Sequence, residues 1–218
     1  MRYKAVLFDL DGTILNTIGG LAYTMNVARS MSGLEPQPLE QVRAMVGNGI
    51  RNLIKRSLAN EAADSADTDK VFADFMEYYI EHCVDNTFPY DGIMEVLMEL
   101  KGRGVKLAVV SNKADVPSCK LIEHFFPGVF DYVRGHREDT PLKPDRQVVD
   151  ETLEILGVTS AEAVYVGDSD VDIKTAVNSD MPCISVDWGF KTHQFLVEHD
   201  ATYIVSDMKA LLSALIVE

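Results

Sequence analysis

Two periodicities alternate along this chain. Short β-rich runs occur at residues 5–10 (AVLFDL), 106–112 (KLAVVSN), 132–135 (YVRG), 163–168 (AVYVGD), 183–188 (CISVDW) and 202–207 (TYIVSD). Short apolar runs bounded by turn residues predict buried strands. Helical spacing fills the later intervals: Val96, Leu97 and Leu100 mark one helix, and Val149, Leu153 and Leu156 another, stopped by Gly157. Near-continuous apolar strands alternating with helices predict an α/β fold whose parallel sheet is covered on both faces.

The interval from 16 to about 87 breaks this alternation and carries no strand pattern. Leu21, Met25, Ala28 and Met31 predict one helical stripe there, and Phe72, Phe75, Met76, Tyr79, Ile80 and Cys83 a second. Between them, NEAADSADTD (60–69) is expected to be a solvated acidic loop. The interval is too long for a simple crossover. The expected division is therefore a core of residues 1–15 and 88–218 and an inserted all-helical domain of residues 16–87. FPYDG (88–92) would be the return hinge.

With 218 residues the chain has ample material for one large domain or two small ones. Its net charge of −14 and pI near 4.7 argue against nucleic-acid or anionic-membrane partners, which need a basic face. If the ligand is an anion, its attraction must be local. Cys83, Cys119 and Cys183 lie far apart without a C-x-x-C pair and are expected to be reduced, mostly buried thiols of a cytoplasmic protein. The N-terminus lacks the long apolar stretch of a signal peptide, and no apolar run approaches membrane-spanning length.

The chemistry concentrates where the strand patterns end. The first run ends in Asp9 and Asp11, followed by Gly12 and Thr13. In an extended backbone such i, i+2 side chains face the same way within about 7 Å. At roughly 6 Å and an effective dielectric of about 20, two like charges repel by about 3 kcal/mol, or roughly two pKa units. The pair needs a cation, a shared proton or open water, and a lone D-x-D-G fits a solvated turn equally well. The other strand ends decide between these. The 106–112 run finishes in Ser111 and Asn112, with Lys113 next; the 163–168 run finishes in Gly167 and Asp168, with Asp170 and Asp172 beyond. PLKPD contributes Lys143, fixed by Pro144. In open parallel sheets ligands bind beyond the carboxyl ends of the strands, so all these groups are expected at one edge.

Each group suits phosphoryl transfer. Mg²⁺ prefers oxygen ligands and is usually held by one or two carboxylates plus phosphate and water. Asp9 and Asp168 can supply those, with a backbone carbonyl near Asp11, and the cation would answer the Asp9–Asp11 repulsion. Carboxylates can act as nucleophiles through an aspartyl-phosphate. Ser111, nearby backbone N–H groups and Lys143 offer donors for the phosphoryl oxygens, and Gly12 lets the chain turn beside them.

Rival motifs fail on specifics. DSDVDI (168–173) starts like a calcium loop but has Ile173 at the glycine position and Ser179 at the twelfth. GNGIRN (47–52) has Asn52 in place of the last glycine of a dinucleotide fingerprint, and no strand precedes it. The chain contains no G-x-x-x-x-G-K-[ST], its five histidines lack metal spacing, and its one tryptophan, Trp188, is expected in the core or at a site rim.

D-x-D-G-T at Asp9 to Thr13, the strand end Ser111–Asn112, Lys143–Pro144 and G-D-x-x-x-D at Gly167 to Asp172 together resemble the four motifs of the haloacid dehalogenase-like hydrolase superfamily. The resemblance covers the chain in order. It implies a Rossmann-like parallel core with a helical cap inserted after the first motif. It further implies Asp9 as nucleophile, Asp11 as general acid then base, and Gly12, Thr13, Ser111, Asn112 and Lys143 around the phosphate. Asp9, Asp11 and Asp168 would hold Mg²⁺, with Asp172 reaching it through a second layer or a water. Asp11 resembles the phosphatase branch, and VGNGIRNLIKRSL (46–58) is similar to the cap of phosphoglycolate phosphatases.

The expected activity is Mg²⁺-dependent hydrolysis of a small phosphorylated metabolite by a monomer or homodimer. A phosphosugar mutase resembling beta-phosphoglucomutase and a pyrophosphatase of the same fold are the alternatives, and a non-catalytic binding protein is the contrasting class. Arg51, Lys55 and Arg56 offer local cations for the non-phosphate end of the substrate, Arg56 matching a position of the phosphoglycolate phosphatase caps. The competing reading is a G-N-G turn followed by a solvated basic helix face.

Overall fold

The computed structural model describes residues 3–47, 49–59, 61 and 67–216. Its centre is a six-stranded parallel sheet in the order β5 (Tyr132–His136), β4 (Lys106–Ala114), β1 (Ala5–Phe8), β6 (Ala163–Gly167), β7 (Cys183–Val186) and β8 (Ile204–Val205). Each strand foreseen from the apolar pattern is present. Alternate residues serve two cores. Val6, Phe8, Val109 and Val166 face one apolar layer, while Ala5, Leu7, Val110 and Tyr165 face the other. Burial on both faces explains why these strands read as continuous apolar runs.

Helices cover both faces. On one side, α5 (Ile93–Gly102), α6 (Asp115–Phe125) and α10 (Met208–Leu215) bury Leu97, Leu121 and Leu211 in the first layer. On the other, α7 (Gln147–Leu156) and α8 (Asp170–Asn178) bury Leu153 and Ala176 in the second. Gly157 ends α7 in the left-handed region at φ 69°, and Ser169 caps α8 by accepting from the Asp172 N–H. α9 (His193–Glu198) lies between β7 and β8.

Between β1 and α5 the chain forms α1 (Ile18–Met31), α2 (Leu39–Met45), α3 (Ile50–Leu58) and α4 (Thr68–His82). Two short strands flank these helices: β2 (Leu15–Asn16) pairs antiparallel with β3 (Phe88–Pro89). The strand pattern missed both, because two residues are too few for a period to show. The buried Arg29 joins α1 to α3 by donating to the Ser57 carbonyl at 2.8 Å and to Glu61 Oε1 at 2.5 Å. Lys120 of α6 donates to the Ile80 and Glu81 carbonyls at 2.9 Å, satisfying acceptors that the end of α4 leaves open.

Several local expectations need correction. Met31 and Ile80 are exposed rather than part of the buried stripes; Phe75, Tyr79 and Cys83 of the second stripe are buried, and Val71 one turn earlier joins them at i, i+4 spacing along α4 and the residue that follows it. Of the acidic segment 60–69, residues 60 and 62–66 lie outside the described residues; Asp67 caps α4 and residues 68–69 already belong to it. Cys119 is exposed, whereas Cys83 is buried, and all three thiols are free. Among the described residues no helix is long and apolar enough to cross a membrane.

Candidate active site

Strand register brings the chemistry together. Phe8 pairs with Val109 on one side and Val166 on the other, so the residues that follow leave the sheet side by side. There a cavity of about 50 Å³ is lined by Asp9, Asp11, Ser111, Asn112, Lys113, Lys143, Asp168, Asp172 and Lys191. Val46, Gly49, Ile50 and Leu53 from the helical segment form another part of its wall.

Lys143 is the hub. Its ammonium donates to Asp9 Oδ1 at 2.9 Å, Asp172 Oδ1 at 2.8 Å and the Tyr165 hydroxyl at 2.8 Å, which uses all three of its N–H groups. Tyr165 in turn donates to the Val110 carbonyl at 2.8 Å. The Asn112 side chain fixes the Lys143 backbone reciprocally, accepting from its N–H at 2.7 Å and donating to its C=O at 3.0 Å. Asn112 was expected at the phosphate; its amide is already engaged in holding the lysine. Burial works against the ammonium charge, but Asp172 and Asp9 outweigh it and hold the Lys143 pKa well above the ordinary value. Burial likewise lifts Asp9 to about 6, with Lys143 pulling the other way.

Asp9, Asp168 and Asp172 are buried and present ligand atoms within 4.8 Å of one another. Asp172 accepts at both oxygens, from Lys143 at Oδ1 and, at Oδ2, from the Ser169 hydroxyl at 2.6 Å and the Ser169 N–H at 3.1 Å. Asp168 accepts from the Phe190 N–H at 2.6 Å through Oδ2. Asp9 Oδ2 and Asp168 Oδ1 accept no hydrogen bond among the described residues. Burial and the neighbouring Asp172 and Asp9 push the Asp168 carboxyl well above the usual carboxylate range. Two glycines clasp it. A Cβ on Gly12 (φ +87°) or on Gly189 would stand 2.3 Å from Asp168 Oδ2. Crowded carboxylates with two unengaged oxygens and glycine-lined walls fit a hard dication.

Asp11 stands apart from that cluster. Both its oxygens accept from Lys113, at 2.9 and 3.1 Å, and the Lys113 side chain is fully buried. The Asp9–Asp11 repulsion, for which a metal was expected, is thus answered by two lysines, each assigned to one carboxylate. Thr13 is buried beside this loop, which Trp188 pins by donating Nε1–H to the Thr13 carbonyl at 3.1 Å. Neither Gly12 nor Thr13 lines the cavity.

The cations proposed on the helical segment are not brought to the site. Arg56 is exposed and donates to the Met45 carbonyl at 2.7 Å; Arg51 pairs with Asp69 and stacks on Phe72. Neither these two nor Lys55 lines the cavity. Helix α3 turns its apolar residues inward, and its basic face looks to solvent. Lys191, which the sequence patterns did not single out, does line the cavity. Its ammonium donates to the Val46 carbonyl at 3.4 Å and makes no ion pair with a carboxylate among the described residues. No periodic signal marks a lysine on a loop after a strand.

The sequence of a known family runs through this geometry. Residues 6–186 match the model of the haloacid dehalogenase-like hydrolase family. The chain belongs to that family. It is similar to the phosphoglycolate phosphatase of Neisseria meningitidis serogroup A, with 33% identity over 91% of this chain and 86% of that protein. It is also similar to the phosphoglycolate phosphatase of Mesorhizobium japonicum, with 30% identity over 97% of this chain and 94% of that protein. A crystal structure from Lactobacillus delbrueckii subsp. bulgaricus, provisionally described as a phosphoglycolate phosphatase, superposes with a TM-score of 0.93 at 35% identity over 100% of both chains. As in other haloacid dehalogenase-like hydrolases, the sheet is parallel and flanked by helices.

Proposed function

We propose that this protein is a Mg²⁺-dependent phosphatase that hydrolyses small phosphate monoesters, phosphoglycolate foremost, through an aspartyl-phosphate on Asp9. The observation that carries this reading is the pair of unengaged oxygens, Asp9 Oδ2 and Asp168 Oδ1, inside a cluster that Lys143 already orients. Asp9 and Asp168 would hold the dication, with Asp172 supporting it through Lys143 and Ser169. When bound, Mg²⁺ supplies positive charge to the phosphoryl oxygens.

Charge balance supports the need for that cation. Four carboxyl groups (Asp9, Asp11, Asp168 and Asp172) and three ammoniums (Lys113, Lys143 and Lys191) line the cavity, so with all of them ionised it carries one net negative charge, whose sign a dication would reverse. The protein as a whole, at −14, gives an anion no other attraction.

The chain's own residues then divide the work. The Asp9 carboxylate attacks phosphorus and the ester P–O bond breaks; the leaving alkoxide takes a proton from Asp11. Asp11 next accepts a proton from water, whose oxygen attacks the same phosphorus and restores Asp9. Ser111 donates to a phosphoryl oxygen, and Lys143 keeps Asp9 aimed. The helical segment acts as a cap whose wall of Val46, Gly49, Ile50 and Leu53 excludes water.

Size favours a small substrate. The cavity between the strand ends and the helical segment measures about 50 Å³. Lys191, with no carboxylate partner among the described residues, suits a second anionic group near the phosphate. The test is phosphate release from phosphoglycolate, hexose phosphates and pyrophosphate, each with Mg²⁺ and with EDTA. The expected result is metal-dependent release, greatest for phosphoglycolate. A preference for pyrophosphate, or turnover that survives EDTA, contradicts the proposal.

A further inference from the structure

We propose that Lys113 is the positioning residue for Asp11, holding its carboxyl group in place at the leaving-group side of the cavity. The inference rests on the reading of Asp11 as the acid–base residue. The two carboxylates of the D-x-D segment are served by separate lysines. Lys143 reaches Asp9 and not Asp11; Lys113 reaches both oxygens of Asp11. A carboxylate held at one oxygen can still swing its free oxygen away. One whose two oxygens share a single ammonium, at 2.9 and 3.1 Å, is centred on that nitrogen, so Lys113 sets where the group sits before any substrate arrives.

The lysine is itself held. Its side chain has 0% exposure, its backbone N–H donates to the Ser111 hydroxyl oxygen at 3.3 Å, and its ammonium lies 4.7 Å from the centroid of the Tyr79 ring. Tyr79 comes from α4, so the helical segment supplies the second surface against which Lys113 rests. Stability alone does not account for such an arrangement. Burying an ammonium is costly, and an apolar pair of similar volume often serves a fold as well or better. The pair lines the cavity, where orientation matters: a misplacement of about 1 Å can cost about 10²-fold in rate.

The experiment compares kcat and KM for an alkyl phosphate, phosphoglycolate, and for p-nitrophenyl phosphate, whose leaving group needs little protonation. The enzymes are wild type, Lys113→Met, Lys113→Arg, Asp11→Asn and the double variant Asp11→Asn/Lys113→Met. Asp11→Asn tests the underlying reading first: it must lose far more on the alkyl than on the aryl ester, and equal losses overturn the role of Asp11 itself. Given that result, Lys113→Met should lower kcat on the alkyl ester at least about tenfold more than on the aryl ester, with KM unchanged within about twofold. Lys113→Arg, which keeps a two-point donor, should recover part of the loss. In the Asp11→Asn background Lys113→Met should add nothing to the alkyl loss. Equal losses on both esters, a loss carried by KM, or full additivity in the double variant overturns the proposal. If Lys113→Met does not fold, the ratio of alkyl to aryl kcat for Lys113→Arg decides: a lowered ratio supports it and an unchanged ratio with lowered Tm overturns it.

Discussion

Replacing Lys143 by methionine is the most informative single perturbation of this site. Methionine keeps much of the length and removes the charge, leaving Asp9, Asp168 and Asp172 buried with ligand atoms within 4.8 Å of one another. At that spacing and an effective dielectric of about 20, each like-charged pair repels by about 3.5 kcal/mol. Breaking a buried ion pair by removing one partner typically costs about 3–5 kcal/mol. For a domain of this size that corresponds to a fall in Tm of roughly 6–20 °C. The fall should depend on pH. Asp9 already sits near 6 with Lys143 present, and losing the ammonium raises it further. A carboxyl whose folded pKa is raised weakens the fold once it ionises, so the deficit should be largest near pH 8 and shrink as pH drops through the raised value. Saturating Mg²⁺ should recover stability in the same way, by compensating the charge. Calorimetric melting of wild type and Lys143→Met between pH 5 and 8, with and without Mg²⁺, measures all of this. A deficit that is the same at both ends of the range and indifferent to Mg²⁺ would refute the reasoning and reduce Lys143 to packing.

Three further outcomes are expected. Lys191→Met should raise KM for phosphoglycolate by about 10- to 100-fold, the worth of a hydrogen bond to a charged group, and leave p-nitrophenyl phosphate nearly unaffected, whereas Arg56→Ala should change neither; steady-state kinetics on both esters decides, and the reverse pattern would return specificity to α3. Because burial lifts Asp9 from the ordinary 3.8 to about 6, protons should compete with Mg²⁺ below about pH 6, weakening its binding up to tenfold per pH unit; titration calorimetry giving a flat profile from pH 5 to 7 would contradict this. Gly189→Ala puts a Cβ 2.3 Å from Asp168 Oδ2 and 2.5 Å from the Gly12 carbonyl, so it should lower Mg²⁺ affinity while the Tm falls only modestly; unchanged affinity would mean that the loop simply moves aside.

How much of this was visible in the sequence depends on where each residue sits. The central strands were legible because both their faces are buried, which leaves an uninterrupted apolar run such as Ala5–Phe8. Asp9, Ser111 and Asp168 were legible because strand ends in a parallel sheet must arrive at one edge. Partnerships across the chain were not. Nothing in the spacing says that Lys113 reaches back to Asp11, 102 positions earlier, or that Asn112 spends its amide on the Lys143 backbone. The direction of a helix face was also hidden: the basic residues of α3 and the apolar Ile80 of α4 fit an inward stripe by period alone, yet both face out. Lys191 lies on a loop, where no period exists to read.

The central claim is covalent catalysis by Asp9, and the most direct measurement is to catch the phosphoryl group there. Enzyme mixed with excess phosphoglycolate and Mg²⁺, quenched in acid within the first turnover and digested, should yield the peptide spanning residues 4–17 with one added phosphoryl group at Asp9. Reduction with borohydride should convert that residue to homoserine, and neither product should form in Asp9→Asn. Phosphate release in the Asp9→Asn variant at more than about a tenth of the wild-type rate, or a phosphoryl group trapped on another residue, would contradict the account.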